Sequence, residues 1–292
     1  LKNNFNFSAD GNLKEWDNLK PFRMYSSDGS GTVVKNTTIV NDSDLSADIY
    51  LVSDSEYLYT AYVITDDSIF VEGQNYPWQK DSPELFIGLY NYHNRPHSSF
   101  ERGIEPDYHF NFGTGGILLY PYDSTFIENG SENYFWGKSS KNQYIIEAKI
   151  PYKLISRLNN DSLFVPIKDF RIPIDFSIND VDSSSVREGI LTYSKYNEDD
   201  SWRDVSRWTN TWIWEDLTNI RNKEMLDKSF YLFQNFPNPF NPSTEIKYQI
   251  ETTSLVKLSV FNILGEEIAN LVNEIKPKGI HYTKFNSTTV RG

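Results

Sequence analysis

At 292 residues, 38% of them hydrophobic, the chain is long enough for two packed domains and too apolar for a disordered segment. Its formal net charge of -12 excludes the basic face that phosphate neutralisation needs, so nucleic acid is not an expected partner. There is no cysteine, hence no disulfide framework and no thiolate metal ligand, and no apolar run of about 18 residues that would read as a membrane span.

In chain order, Leu1 is neither an initiator methionine nor the start of a signal peptide, so a removed or truncated leader is expected. Trp16 follows an Asp-Gly turn and reads as a core residue. Period-2 alternation then recurs at Tyr57 to Thr65, Glu84 to Tyr90, Asp107 to Phe112, Tyr144 to Ile150 and Phe170 to Ile178, separated by Asp, Asn, Ser and Gly clusters. That pattern predicts an all-β fold, an antiparallel β-sandwich. One short helix is expected over Pro151 to Leu158, with Leu154, Ile155 and Leu158 on its apolar face. The polar stretch around 218–229 reads as a linker between a first domain at 1–217 and a second, small Ig-like β-sandwich at 230–292. In the latter, Thr244 to Ile250, Leu255 to Ile263 and Ile280 to Phe285 read as strands.

Alternation also sorts the polar residues. On the Glu84 strand, Leu85, Ile87 and Leu89 face a core while Glu84 and Phe86 face the other way. On the Asp107 strand, Tyr108, Phe110 and Phe112 are buried, and Asp107, His109 and Asn111 project oppositely. Two neighbouring strands would thus share one polar face. Trp78 lies in a Pro-rich loop just before it, and Asp200 to Trp214 carries Trp202, Trp208, Trp212 and Trp214. The last two, in a W-I-W alternation, read as packing residues. Aromatic residues make up 15% of the chain, which suits both a β-core and a saccharide site, where a pyranose face stacks on a ring.

Oxygen ligands alternate at Asn179, Asp180 and Asp182, a pattern compatible with calcium or with a plain Asx-rich turn. His93 and His97 are four apart, but Asn94, Arg95 and Pro96 between them break a helix, so a shared metal is not expected. Asp81, Glu84, Asp180 and Asp182 could in principle furnish a hydrolytic carboxylate pair. An adhesive sandwich without a sugar site is a further alternative.

Several pieces taken together resemble carbohydrate-binding module family 9: D-G-N-L-K-E-W at Asp10, S-E-Y-L-Y-T-A-Y-V-I-T-D-D at Ser55, W-x-x-D-S-x-E-L-F-I at Trp78, D-Y-H-F at Asp107 and D-F-S-I-N-D-V-D at Asp175. The resemblance implies an all-β sandwich that clasps the end of a glucan or xylan chain between two tryptophans, with calcium supporting its loops. Carried over by position, it implies Trp78 as one clamp residue, Glu84 as the carboxylate accepting sugar hydroxyls, and Trp202 as the second clamp residue with Trp208 as the substitute. His109 stands where the family shows a basic side chain.

The tail, F-Q-N-F-P-N-P-F-N-P-S-T-E-I-K-Y from Phe233 to Tyr248 with L-G-E-E from Leu264, resembles the type A C-terminal sorting domain of type IX secretion. This implies passage through the periplasm, a partner in the type IX secretion machinery, and a secreted or outer-surface protein. The last strand of the family pattern is missing after Gly292, so the chain is expected to be a fragment there, with an unpaired sheet edge.

Overall fold

The structure, a computed structural model, describes residues 5–72, 76–92, 97–120, 125–156, 161–183, 186–214, 230–233, 235, 237, 240–250, 253–262 and 266–287. The expected linker at 218–229, His93 and the chain's C-terminus lie outside the described residues. Contacts divide the chain into two units, Leu1–Asp216 and Leu217–Gly292.

In the first unit, strands form where apolar and polar residues alternate, and all of them pair antiparallel. One sheet contains β1 (Phe22–Met24), β3 (Leu45–Ser53), β4 (Tyr57–Asp66), β9 (Tyr134–Ser140) and β10 (Gln143–Pro151), in the order β1-β3-β4-β10-β9. The other contains β2 (Thr32–Val33), β5 (Ser82–Gly88), β6 (Asp107–Gly113), β7 (Gly116–Leu119), β8 (Thr125–Glu128), β11 (Arg171–Asp180), β12 (Gly189–Thr192) and β13 (Thr209–Trp212). Its order is β2-β12-β11-β5-β6-β7-β8, with β13 also on β11. Leu85, Ile87, Tyr108, Phe110, Ile174 and Phe176 from this sheet meet Tyr62, Ile64, Tyr144 and Ile146 from the first in one core. Each such fully buried side chain contributes about 1.5–3 kcal/mol.

Strand β11 organises the second sheet. Along one side it pairs with β5; along the other, its first half (Arg171–Ile174) takes β13 and its second half (Ser177–Asp180) takes β12. The chain therefore leaves the sheet after β12, makes an excursion over residues 193–208, and returns as β13.

The helix, α1, is one turn at Tyr152–Ser156; Ile155 turns inward as expected, Leu154 does not, and Leu158 lies outside the described residues. Tyr152 and Ile155 are buried and Leu154 is exposed. The reason lies in local bonds: the Tyr152 amide donates to the Glu56 carbonyl at 2.9 Å, and its hydroxyl meets Ser53 at 2.7 Å. Trp16 is buried, as expected, with Nε1 donating to Glu147 at 2.9 Å.

In the second unit, β14 (Phe230–Leu232), β15 (Ser243–Ile250) and β18 (Gly279–Asn286) form one sheet, and β16 (Ser254–Phe261) with β17 (Glu267–Lys276) forms another. Tyr248, Ile250 and Val272, packed by Val256, Leu258 and Leu271, make the core between them. Both units are thus all-β sandwiches.

Candidate functional site

Because side chains alternate along a strand, burying Leu85, Phe110 and Phe176 puts their neighbours on the outer face of the second sheet. Strand register brings Glu84 between Asn111 and Ser177, and Phe86 between His109 and Asp175. Trp78 and Trp202 supply exposed rings on segments tied to this face, with 48% and 45% of their surface open. Trp78 sits in a 3-10 turn, Pro77–Gln79, and stacks on Tyr76 with ring centroids 4.6 Å apart and planes 17° from parallel.

A continuous run of hydrogen bonds connects the two tryptophan segments. The Pro77 carbonyl accepts from Ser82 Oγ at 2.8 Å, and Ser82 Oγ accepts from Asn179 Nδ2 at 3.2 Å. Asn179 Oδ1 accepts from Arg187 at 2.9 Å, and the other amino group of Arg187 pairs with Asp199. The Asp199 carbonyl in turn accepts from Trp202 Nε1 at 3.0 Å, and the Arg203 guanidinium lies 5.5 Å from the Trp202 ring. Trp202 is therefore held by its polar edge with Arg203 over one face of the ring, which leaves the other face to contact a partner.

On the floor, His109 Nε2 approaches Glu84 Oε1 at 3.2 Å while the imidazole stacks on Phe86 at 4.4 Å. Asn111 Nδ2 and His109 Nδ1 are buried without a hydrogen-bond partner among the described residues. An unsatisfied buried polar atom costs about 1–3 kcal/mol, and both of these lie on one strand, β6. A cavity of about 180 Å³, lined in part by Pro77, Lys80, Ser82 and Asn111, opens next to them.

Three sequence expectations are corrected. Trp208 is only 4% exposed, packed on Phe86 and Phe100, with Nε1 donating to the Ser201 carbonyl at 3.0 Å, so it has no ring face to offer. Trp212 and Trp214 are 60% and 63% exposed and are not packing residues; Ile213 between them points inward instead. Asn179 alternates with Asp180 along β11, and its side-chain amide is taken up by Ser82 and Arg187, so it does not offer its oxygen beside Asp180.

Sequence reasoning missed Arg187, Asp199 and Asp175. Asp175 is fully buried and accepts from the Phe176 amide at 2.9 Å, the Ser194 amide at 2.7 Å, Asn197 Nδ2 at 2.9 Å and Ser201 Oγ at 2.7 Å. Burial pushes its carboxyl up to about 7, against the pull of these donors. Three of the donors belong to the 193–208 excursion, so Asp175 fixes the loop that carries Trp202. The D-F-S-I-N-D segment offered the one available signal: a carboxylate opposite the core face of a central strand.

The carboxylates at the end of the sheets gather into two groups, Asp66 with Asp81 and Asp180, and Asp44 with Asp67 and Asp182; within each, ligand oxygens lie within 4.8 Å of one another. In the first group all three are buried, and among the described residues Asp66 Oδ2 and Asp180 Oδ1 have no partner; in the second, Asp182 Oδ1 has none. Burial, then the like charges of Asp44, Asp66, Asp182 and Glu188, pushes Asp180 up to about 8. Asp66 and Asp81 are raised as well, chiefly by burial. Inward-pointing hard oxygens of this kind fit a divalent cation such as calcium. Glu84 is not among them; it lies on the outer face with His109.

An antiparallel sandwich with aromatic rings beside a polar outer sheet face defines a class of saccharide-binding domain. Residues 23–214 match the carbohydrate family 9 binding domain-like family over more than half of the chain, and the chain belongs to that family. It is 26% identical over 180 residues to exoglucanase XynX of Acetivibrio thermocellus, covering 61% of this chain, and 27% identical over 172 residues to endo-1,4-beta-xylanase A of Thermotoga maritima, covering 58%. It spans 14% of the length of each of these relatives. A carbohydrate-binding module family 9 structure from Caldicellulosiruptor kristjanssonii, in complex with cellotriose, shares the fold: TM-score 0.51, 19% identity, 73% of this chain and 91% of that one.

Proposed function

We propose that the face between Trp78 and Trp202 binds chain ends of glucan- or xylan-type saccharides without cleaving them. The observation that carries this reading is the pair of exposed indoles on segments joined by one run of hydrogen bonds, together with buried polar atoms on β6 that lack partners among the described residues, Asn111 Nδ2 and His109 Nδ1. Ring stacking would contribute about 0.5–1.5 kcal/mol per tryptophan beyond area burial. Glu84 accepts sugar hydroxyls and Asn111 donates to them. Titration calorimetry against cello- and xylo-oligosaccharides tests the proposal: the native chain releases saturable heat, and Trp78→Ala and Trp202→Ala abolish it. Flat heats for the native chain, or unchanged binding by both variants, would sink the reading.

The reading extends to setting. The names of the two relatives, an exoglucanase and a xylanase, support an accessory role in polysaccharide degradation. The Pro-Asn-Pro-rich tail supports export by type IX secretion and a secreted or outer-surface location. Asp66, Asp81 and Asp180 would hold a calcium ion that neutralises their mutual repulsion and steadies the ends of β4, β5 and β11.

A further inference from the structure

The split partnership of β11 leaves a break at the sheet edge between the end of β12 and the start of β13. There, facing β1 of the other sheet, a cleft of about 620 Å³ opens. This is the size of a small-molecule site. It lies on the side of β11 that takes β12 and β13, opposite the side that takes β5 and the Glu84 face.

Its lining is unlike the rest of a chain whose net charge is -12. Lys20 and Lys195 both border the cleft, and neither has a carboxylate within ion-pair distance among the described residues. Arg23, the guanidinium on the lining, is already neutralised by Asp28 at 2.8 Å. Two tyrosines complete it. Tyr193 forms one wall, held edge-on by Phe22 and Phe176 at 5.4 and 5.8 Å. Tyr196 is 57% exposed, with Lys195 Nζ 5.3 Å from its ring. Thr32 and Thr209 add hydroxyls.

Two unpaired ammonium groups attract an anion, and ring faces with hydroxyls around them suit a pyranose. A phosphate would be served better by an arginine fork or a nest of amides, and here the guanidinium is taken. We propose that this cleft is a second binding site, for a saccharide bearing a carboxylate: a uronic acid residue whose ring lies along Tyr196 and whose carboxylate meets Lys20 and Lys195. Its lining is separate from the Trp78–Trp202 face, although Tyr193, Lys195 and Tyr196 belong to the loop that also carries Trp202, and it would let the domain favour acid-substituted polysaccharide over neutral chains.

The test uses the full chain, the Trp78→Ala/Trp202→Ala variant and the Lys20→Gln/Lys195→Gln variant, titrated with glucuronic acid, glucose, inorganic phosphate and a neutral xylo-oligosaccharide. Both lysines are exposed, so their replacement leaves the fold intact. Glucuronic acid is expected to bind the native chain and the double tryptophan variant equally, to weaken about tenfold in the double lysine variant, and to weaken with added salt. Tyr196→Ala should weaken it too. The proposal is overturned if glucose or phosphate binds the cleft as well as glucuronic acid does, or if the lysine variant binds unchanged. Failure of the native chain to bind the neutral oligosaccharide, with glucuronic acid still bound, would strike the Trp78–Trp202 reading and leave this one standing.

Discussion

Trp202 and Trp208 are six residues apart on one loop, yet their indoles serve opposite purposes because of what lies beneath each. The Trp208 ring lands on Phe86 and Phe100 and loses nearly all its surface to them, so its contribution is packing. Trp202 has its Nε1 edge engaged by the Asp199 carbonyl and the Arg203 guanidinium over its ring, and stays exposed. Truncation should therefore separate stability from binding. Trp208→Ala leaves a cavity and is expected to cost about 3–5 kcal/mol of unfolding free energy. Trp202→Ala, at an exposed site, is expected to cost no more than about 0.5 kcal/mol while removing saccharide binding. Urea unfolding of the two variants beside the native chain checks this; equal destabilisation would show that Trp202 is a packing residue after all.

The 193–208 excursion as an element has little regular structure to hold it, and Asp175 supplies the missing order. Its carboxylate replaces the ladder bonds that a continuous edge strand would have made, receiving Ser194, Asn197 and Ser201 from the loop. Asp175→Ala leaves those donors without their acceptor in a buried site, so it should cost about 2–4 kcal/mol and release Trp202. Calorimetry should show saccharide affinity falling even where the variant is still folded; retained affinity would mean that Arg187 and Asp199 suffice to place the ring. This hub was hard to read from sequence because its partners are set by tertiary placement. Strands β4, β5, β6, β10 and β11 were legible, since each alternates over six or more residues, and with them the shared face of Glu84, His109 and Asn111. The short strands β2, β12 and β13 exist because β11 and its neighbours offer edges to them, not because two to four residues have a pattern. In β17, Ile268, Leu271, Val272 and Ile275 even recur at helical spacing, but pairing with β16 makes a strand. Trp78 and Trp202 were found through family resemblance, and nothing local distinguished Trp202 from the buried Trp208.

For the whole molecule, the acidic balance is concentrated where it is least comfortable, and this sets how stability responds to pH and to calcium. A carboxyl whose folded pKa is raised keeps its proton in the folded chain after the unfolded chain has released it. Its contribution is full below the unfolded value of about 4 and is lost as pH rises through the folded one. Glu147 and Asp175, both pushed up to about 7 chiefly by burial, should therefore make the protein lose stability between about pH 4 and pH 7. Asp180, pushed up to about 8, extends the loss further, and Asp66 and Asp81 act in the same direction. A calcium ion among Asp66, Asp81 and Asp180 would reverse the sign for that group alone, since it binds the ionised form and competes with the protons. The expected result is a melting temperature that, in chelator, falls steadily from pH 5 to pH 9, while in millimolar calcium most of the fall ends near pH 7. The calcium-induced shift should be small at pH 5 and large at pH 8, and Asp180→Asn should shrink it. A shift that is absent at pH 8, or equal at both pH values, would remove calcium from this site and leave three carboxyls that share protons.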